Sequence, residues 1–211
     1  MSLIEVKEVT KIYGKKTVLD SVSFNVEKGE ILIVEGPSGI GKTTLLNIIA
    51  GIDFPDKGTV IIDGVDIFQM SEDARAKFRL ENIGIVFQQM NLIEDLTVME
   101  NIALPLKLAG KPWKKRVDEL LHYLKIEDLK HEMPTSLSGG EMQRCAIARA
   151  LANDPRIILA DEPTSNLDDE NTKNIGDLFI KINREMGTTI LIATHDPRIN
   201  YVATSIISLK R

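Results

Sequence analysis

The sequence has 211 residues, 43% of them hydrophobic and 27% charged, with a net charge of −5. That length carries one sizeable core or one domain with an inserted lobe, and the balance is ordinary for a soluble globular chain. A negative net charge argues against nucleic acid as a partner, the single cysteine, Cys145, excludes an internal disulfide, and no apolar run approaches the ~20 residues that span a bilayer.

The opening stretch, MSLIEVKEVTKIYG, carries charges inside its apolar run and lacks a signal-peptide core. LIEVKEV (3–9), VLDSVSFNVE (18–27) and TVIIDGVDI (59–67) alternate apolar and polar residues, which predicts half-exposed antiparallel strands. A different texture begins at ILIVE (31–35) and returns at IGIVF (83–87), RIILAD (156–161), TILIAT (189–194) and SIISL (205–209). Continuous apolar runs of this kind mark parallel strands buried on both faces, with helices between them.

GPSGIGKTT (36–44) follows the first of those runs and matches the phosphate-loop pattern Gly-x4-Gly-Lys-Ser/Thr. Gly36, Gly39 and Gly41 let the backbone curl so that successive N–H groups face phosphates. Lys42 supplies charge to the β- and γ-phosphates, and the Thr43 hydroxyl can ligate Mg²⁺. The whole stretch, Pro37, Ser38 and Thr44 included, is a candidate ATP cradle. A helix, TTLLNIIAG, follows and ends at its own glycine, Gly51. Gln88 comes just after the run IGIVF, where its amide could reach the metal or an attacking water; alone, that signal is weak.

Between Phe87 and Arg156 the texture is helical. Pro105, inside ALPLKLAG, is expected to kink or divide a helix. Trp113, Val117, Leu120, Leu121 and Leu124 form one apolar stripe. His122 and His131 read as surface residues. LSGGEMQR (137–144) then opens a second good helix, and Ser138, Gly139, Gly140 and Glu141 stand at its tip. Bare N–H groups at a helix start bind anions, which suggests a second anion site.

RIILADEPTSNLD (156–168) runs an apolar strand into Asp161 and Glu162. Parallel strands present their C-terminal ends to a ligand crevice. Asp161 is then placed to hold Mg²⁺, and Glu162 to polarise an attacking water. His195 ends TILIAT and reaches the same crevice, although a lone histidine there is more often structural.

Tyr13, GPSGIGKTT, Gln88, LSGGEMQR, RIILADEPTSNLD and His195, in this order, resemble the nucleotide-binding subunit of ABC transporters across essentially the whole chain. VFQQMNLIEDLTVMENIALPL and LADEPTSNLD are most similar to the lipoprotein-release, macrolide-efflux, peptide-resistance and cell-division branch. The resemblance implies a P-loop NTPase core of α/β class with a mainly parallel sheet, an antiparallel β subdomain and an inserted helical subdomain. On that plan 1–88 and 155–211 form the ATP-binding core, and 89–154 the helical lobe. Implied too is a homodimer with two MgATP molecules between the copies, each held by Lys42 and Thr43 of one and by Ser138, Gly139 and Gly140 of the other. Tyr13 would stack on adenine, Gln88 sense the γ-phosphate and the membrane partner, His195 face the γ-phosphate, and Asp168 touch the opposite subunit. Without the family, Tyr13 reads as an aromatic at a turn.

The membrane partner would be integral permease subunits docked at the helical lobe, with this chain peripheral on the cytoplasmic face. Ile40 replaces a small polar residue at a position expected not to touch ligand, Thr43 keeps the hydroxyl of the commoner serine, and no regulatory domain is expected after SIISLKR. Two alternatives stay open: a mechanical transmitter to an envelope protein, and a soluble ABC-type ATPase.

Overall fold

A computed structural model describes residues 2–209; Met1, Lys210 and Arg211, the ends of the 1–211 span, lie outside the described residues. The alternating segments form an antiparallel sheet: β1 (Ser2–Tyr13), β2 (Lys16–Glu27), β4 (Lys57–Ile62) and β5 (Val65–Asp66), in the order β2-β1-β4-β5. The continuous apolar runs form a parallel sheet: β3 (Ile31–Glu35), β6 (Ile83–Val86), β7 (Ile157–Asp161), β8 (Thr189–Thr194) and β9 (Ser205–Ser208), in the order β6-β7-β8-β3-β9.

Why the two textures differ is visible in the packing. Every β7 and β8 residue is buried, and successive residues feed two separate cores. Ile31, Ile33, Ile158, Ala160, Ile190 and Ile192 point to one side. Leu32, Val34, Ile157, Leu159, Leu191 and Ala193 point to the other, against the antiparallel sheet and helix α1 (Lys42–Ile49). A strand with helices or a sheet over both faces has no room for a polar position, so its period of two is hidden in an unbroken apolar run.

Helix α2 (Glu72–Asn82) starts at Ser71, whose side chain accepts from the Ala74 N–H. Helices α3 (Val98–Leu108), α4 (Lys114–Leu124) and α5 (Gly139–Leu151) make the helical lobe. The stripe read from the sequence holds: Val117, Leu120, Leu121 and Leu124 are buried and Trp113 packs beside them. Each such side chain contributes about 1.5–3 kcal/mol. The lobe shares its core with the parallel sheet and with α6 (Asp169–Met186) rather than owning one.

Of the two outcomes expected at Pro105, a kink or a division, division does not occur: α3 runs through it to Leu108. The helix start is braced well upstream of the proline. Thr97 and Glu100 form a reciprocal capping box. The buried Asn101 side chain donates to the carbonyls of Ile93, Leu96 and Thr97 and accepts from the Ile93 N–H. Beyond it, Ile102, Ala103 and Leu106 anchor both sides of the proline in the core. Packing here outweighs the local ~3 kcal/mol penalty. His122 and His131 are exposed, as read.

Candidate active site

Four parallel strands deliver their C-terminal ends to one crevice. β3 leads into the loop 36–41, β6 to Gln88, β7 to Asp161 and Glu162, and β8 to His195. A cleft of about 370 Å³ opens there, lined by Tyr13, Ser38, Gly39, Gly41, Lys42, Thr43, Thr44, Gln88, Glu162 and His195. Ser138, Gly139, Gly140, Glu141 and Asp168 are not among the lining residues.

The loop takes its shape from glycine where only glycine serves. Gly41 caps α1 at φ 114°, and a Cβ there would lie 2.9 Å from Leu19 and 3.0 Å from Val18. Lys42 is 5% exposed and closes the loop from inside, donating to the carbonyl of Gly36 at 2.6 Å and of Pro37 at 3.3 Å. Gly36 and Pro37 thus present carbonyls to Lys42 rather than surface to the cleft. Ile40, by contrast, packs into the core, consistent with its expected distance from any ligand.

Glu162 is the most heavily held group. Its Oε1 lies 3.1 Å from the Lys42 ammonium and 2.9 Å from His195 Nδ1. Its Oε2 accepts from the Thr194 hydroxyl at 3.1 Å and the His195 backbone N–H at 3.3 Å. The residue sits in the left-handed region, φ 47°, a conformation that costs about 1 kcal/mol or more outside glycine and clusters at active sites. Burial would raise its carboxyl, but the bonds from His195 and Lys42 prevail and hold it below the usual glutamate range. It is therefore a carboxylate at neutral pH, available to take a proton.

Asp161 moves the other way. Burial pushes its carboxyl above the usual aspartate range, the Thr43 hydrogen bond opposes this, and the Glu162 charge adds to it. Oδ2 accepts from the Thr43 hydroxyl at 2.7 Å, while Oδ1 is buried with no hydrogen-bond partner. A buried, orphaned carboxylate oxygen beside a hydroxyl fits a divalent cation. These are hard oxygen donors, and among the described residues no three acidic, His or Cys side chains are arranged to hold a metal by themselves. That suits Mg²⁺, which keeps waters and borrows phosphate oxygens. A raised aspartate takes up a proton earlier on acidification than an ordinary one, and a protonated carboxyl is a poor ligand. The Mg²⁺ concentration for half-maximal ATPase should therefore climb as pH falls below neutrality, with excess Mg²⁺ restoring turnover. A Mg²⁺ requirement flat across that range would contradict this assignment of Asp161.

The other predicted positions lie elsewhere. Tyr13 ends β1, half exposed at the cleft rim. Asp168 is exposed and caps α6, accepting from the Asn171 N–H at 2.7 Å. The α5 tip is less bare than its sequence suggests. Ser138 donates its hydroxyl and its N–H to Glu141 Oε2 at 2.7 and 2.8 Å, and its Oγ accepts from the Glu141 N–H. Gly140 also has a packing role, since a Cβ would lie 2.8 Å from Asn171 Oδ1 at the start of α6.

Three partners went unread. Thr194 and its bond to Glu162 had a signal in its place beside His195. Arg149, on α5, donates to the carbonyls of Met90 and Asn91 at 2.6 Å each, where both residues have positive φ. Arg198 joins Asp196 to Asp169. Neither arginine has a local sequence signal.

Residues 19–165 match the ABC transporter family. The chain is 48% identical to the methionine import ATP-binding protein MetN of Corynebacterium diphtheriae, over 92% of this chain; it spans 58% of that longer protein. It is 43% identical to the lipoprotein-releasing system ATP-binding protein LolD of Bacteroides thetaiotaomicron, covering 92% of this chain and 90% of LolD. The dimeric post-hydrolysis structure of the cassette MJ0796 of Methanocaldococcus jannaschii, bound to ADP and Pi, superposes with a TM-score of 0.90 at 41% identity, covering 98% of this chain and 94% of that one. At these identities, over more than nine-tenths of the sequence, one assignment remains: the chain belongs to the ABC transporter family, as an ATP-binding subunit that hydrolyses ATP.

Proposed function

We propose that two copies of this chain close head to tail around two ATP molecules and drive the membrane subunits of a transporter. The observation that carries the proposal is a separation. The cleft holds the P-loop, Glu162, Gln88 and His195, yet no residue of the Leu137–Arg144 stretch lines it. A second anion site that stays away from its own chain's nucleotide is available to a twin, and a two-fold pair of such contacts closes without forming a filament.

In this reading Lys42, with Gly36 to Thr44, grips the triphosphate. Ser138, Gly139, Gly140 and the Glu141 backbone N–H of the facing copy complete the grip, and Asp168 meets that copy. Tyr13 carries the adenine. Thr43, Asp161 and Gln88 would hold Mg²⁺, which would supply positive charge to offset the phosphates. Glu162 accepts the proton of the attacking water, and His195 orients the Glu162 carboxylate and faces the γ-phosphate. ATP joins the copies, and its hydrolysis lets them part.

The lobe 89–154 is the coupling element. Between it and the core 1–88 and 155–211 runs a groove of about 740 Å³, lined by Leu80, Ile83, Ile85, Pro105, Leu108 and Arg149 among others. Apolar walls ending at Phe87, next to Gln88, suit a cytoplasmic helix of a permease subunit. Among the described residues no helix is long and apolar enough to cross a membrane; this chain would sit peripherally at the cytoplasmic face through that docking.

Complementation tests the shared site. Lys42→Ala and Ser138→Arg should each be idle alone. Mixed, they should regain about a quarter of wild-type turnover, because half of random pairs are mixed and each mixed pair keeps one intact site. Two variants that stay folded and remain idle when mixed would overturn the sandwich.

A further inference from the structure

The P-loop helix has a second end. α1 covers eight residues from Lys42 to Ile49, about 12 Å of rigid rod. The chain reverses at Gly51, and the N–H groups of Ile52 and Asp53 both donate to the Asn47 carbonyl, at 2.9 and 3.2 Å. Asp53 is thereby fixed to the far end of the helix whose first residue is Lys42.

From there its carboxylate reaches back to the tip of β1. Oδ2 accepts from the Tyr13 hydroxyl. Oδ1 accepts from Lys11 Nζ at 2.7 Å and from the Phe54 N–H at 2.7 Å. Lys11 also donates to the Phe54 carbonyl at 2.6 Å, and its ammonium lies 5.0 Å from the Tyr13 ring centroid. Beside them the Ile12 N–H donates to Asp56 at 2.6 Å, and the Asp56 N–H donates to the Thr10 carbonyl at 2.8 Å. These bonds begin where the ladder between β1 and β4 stops, at Thr10 and Lys57. On that edge, residues 53–56 do the work of a missing strand. Burial would raise the Asp53 carboxyl, but Lys11 and Tyr13 hold it below the usual aspartate range, so the hub is charged at neutral pH.

We propose that Asp53 is a positioning residue for nucleotide recognition: by fixing the Tyr13 hydroxyl to the end of the P-loop helix, it sets the base platform at a defined distance from the phosphate grip. The proposal rests on the reading of Tyr13 as the adenine platform. The ring lines the cleft and remains half exposed, with its hydroxyl already tethered. A platform ordered before binding loses less rotamer freedom when the base arrives, and base stacking on an aromatic is a term large enough to matter. Thr44, in the first turn of α1, also bonds the Tyr13 hydroxyl, so one helix holds both the phosphate grip and the base platform.

The test separates base from phosphate. Calorimetry on the full chain would compare ATP with inorganic tripolyphosphate, which presents phosphates and no base. Asp53→Ala should weaken ATP about tenfold and leave tripolyphosphate within about twofold. KM for ATP should rise by the same factor, with kcat at saturation nearly level. Tyr13→Phe should reproduce the loss, and adding it to Asp53→Ala should cost nothing more, because both remove the Tyr13–Asp53 bond. Equal weakening of both ligands by Asp53→Ala would mean only that α1 had loosened, and would overturn the proposal; so would no change in either. Tyr13→Ala distinguishes the layers. If it leaves the ATP-to-tripolyphosphate ratio untouched, the adenine platform itself is wrong. Should it collapse that ratio while Asp53→Ala does not, the platform stands and the anchor falls.

Discussion

Replacing Glu162 by glutamine is expected to leave MgATP bound and to slow hydrolysis by about 10²–10⁴-fold, the span of a lost general base. The amide keeps the shape and can still accept from Thr194 and the His195 N–H, which bond Oε2 in the parent. It has no proton affinity to offer water, and it gives up the charge pairing with Lys42. In the proposed sandwich ATP joins the copies, so the variant should elute as a dimer with MgATP and as a monomer without. Unchanged turnover, or a monomer under saturating MgATP, would end this account of Glu162. Stability carries a sign as well. A carboxyl held below its unfolded value contributes stability that is present above that unfolded value and lost as pH falls through the folded one. The variant's deficit in melting temperature should accordingly be largest near neutrality and shrink on acidification.

Lys42→Ala should lose nucleotide binding outright, by more than about a hundredfold, and turnover with it. Nothing else in the cleft lining brings a permanent cation to a triphosphate, and charge-assisted bonds to phosphate are the strong ones. The ammonium is engaged before any nucleotide arrives, with the carbonyls of Gly36 and Pro37 and with Glu162. Its removal leaves Glu162 buried with one counter-charge fewer. Orphaning a buried charge costs about 3–5 kcal/mol in the limiting case; here Thr194 and His195 remain, so the cost should be smaller. A calorimetric titration beside a thermal melt checks both halves: a folded protein, somewhat less stable, with no ATP heat. Near-parental affinity would remove Lys42 from the site.

Much of this was legible in the residue order. Buried parallel strands announce themselves as apolar runs, and the P-loop and Asp161-Glu162 each follow such a run, so the crevice strands carried their own labels. The family resemblance then supplied the facing copy whose nucleotide the anion site at the α5 tip would meet. What stayed hidden has a common cause. The bond from Asp53 to Tyr13 spans 40 residues, and Arg149 reaches back to Met90 and Asn91 across 59 and 58; contacts of that kind depend on how elements pack. The continuity of α3 through Pro105 is hidden for the same reason, since its neighbours Ile102 and Leu106 are held by the core. The α5 tip was different. Ser138 and Glu141 have the spacing of a reciprocal cap, and that pattern was present but passed over in favour of an empty anion site.

That cap has a consequence for any incoming triphosphate. The serine hydroxyl and backbone amide at the α5 tip already face a negative oxygen, the one their own glutamate supplies. A phosphate arriving from across the interface meets an occupied seat and must first turn that side chain out. In the proposed sandwich, assembly would therefore begin with an exchange of one anion for another, and the cost of eviction would raise the nucleotide concentration at which two copies hold together.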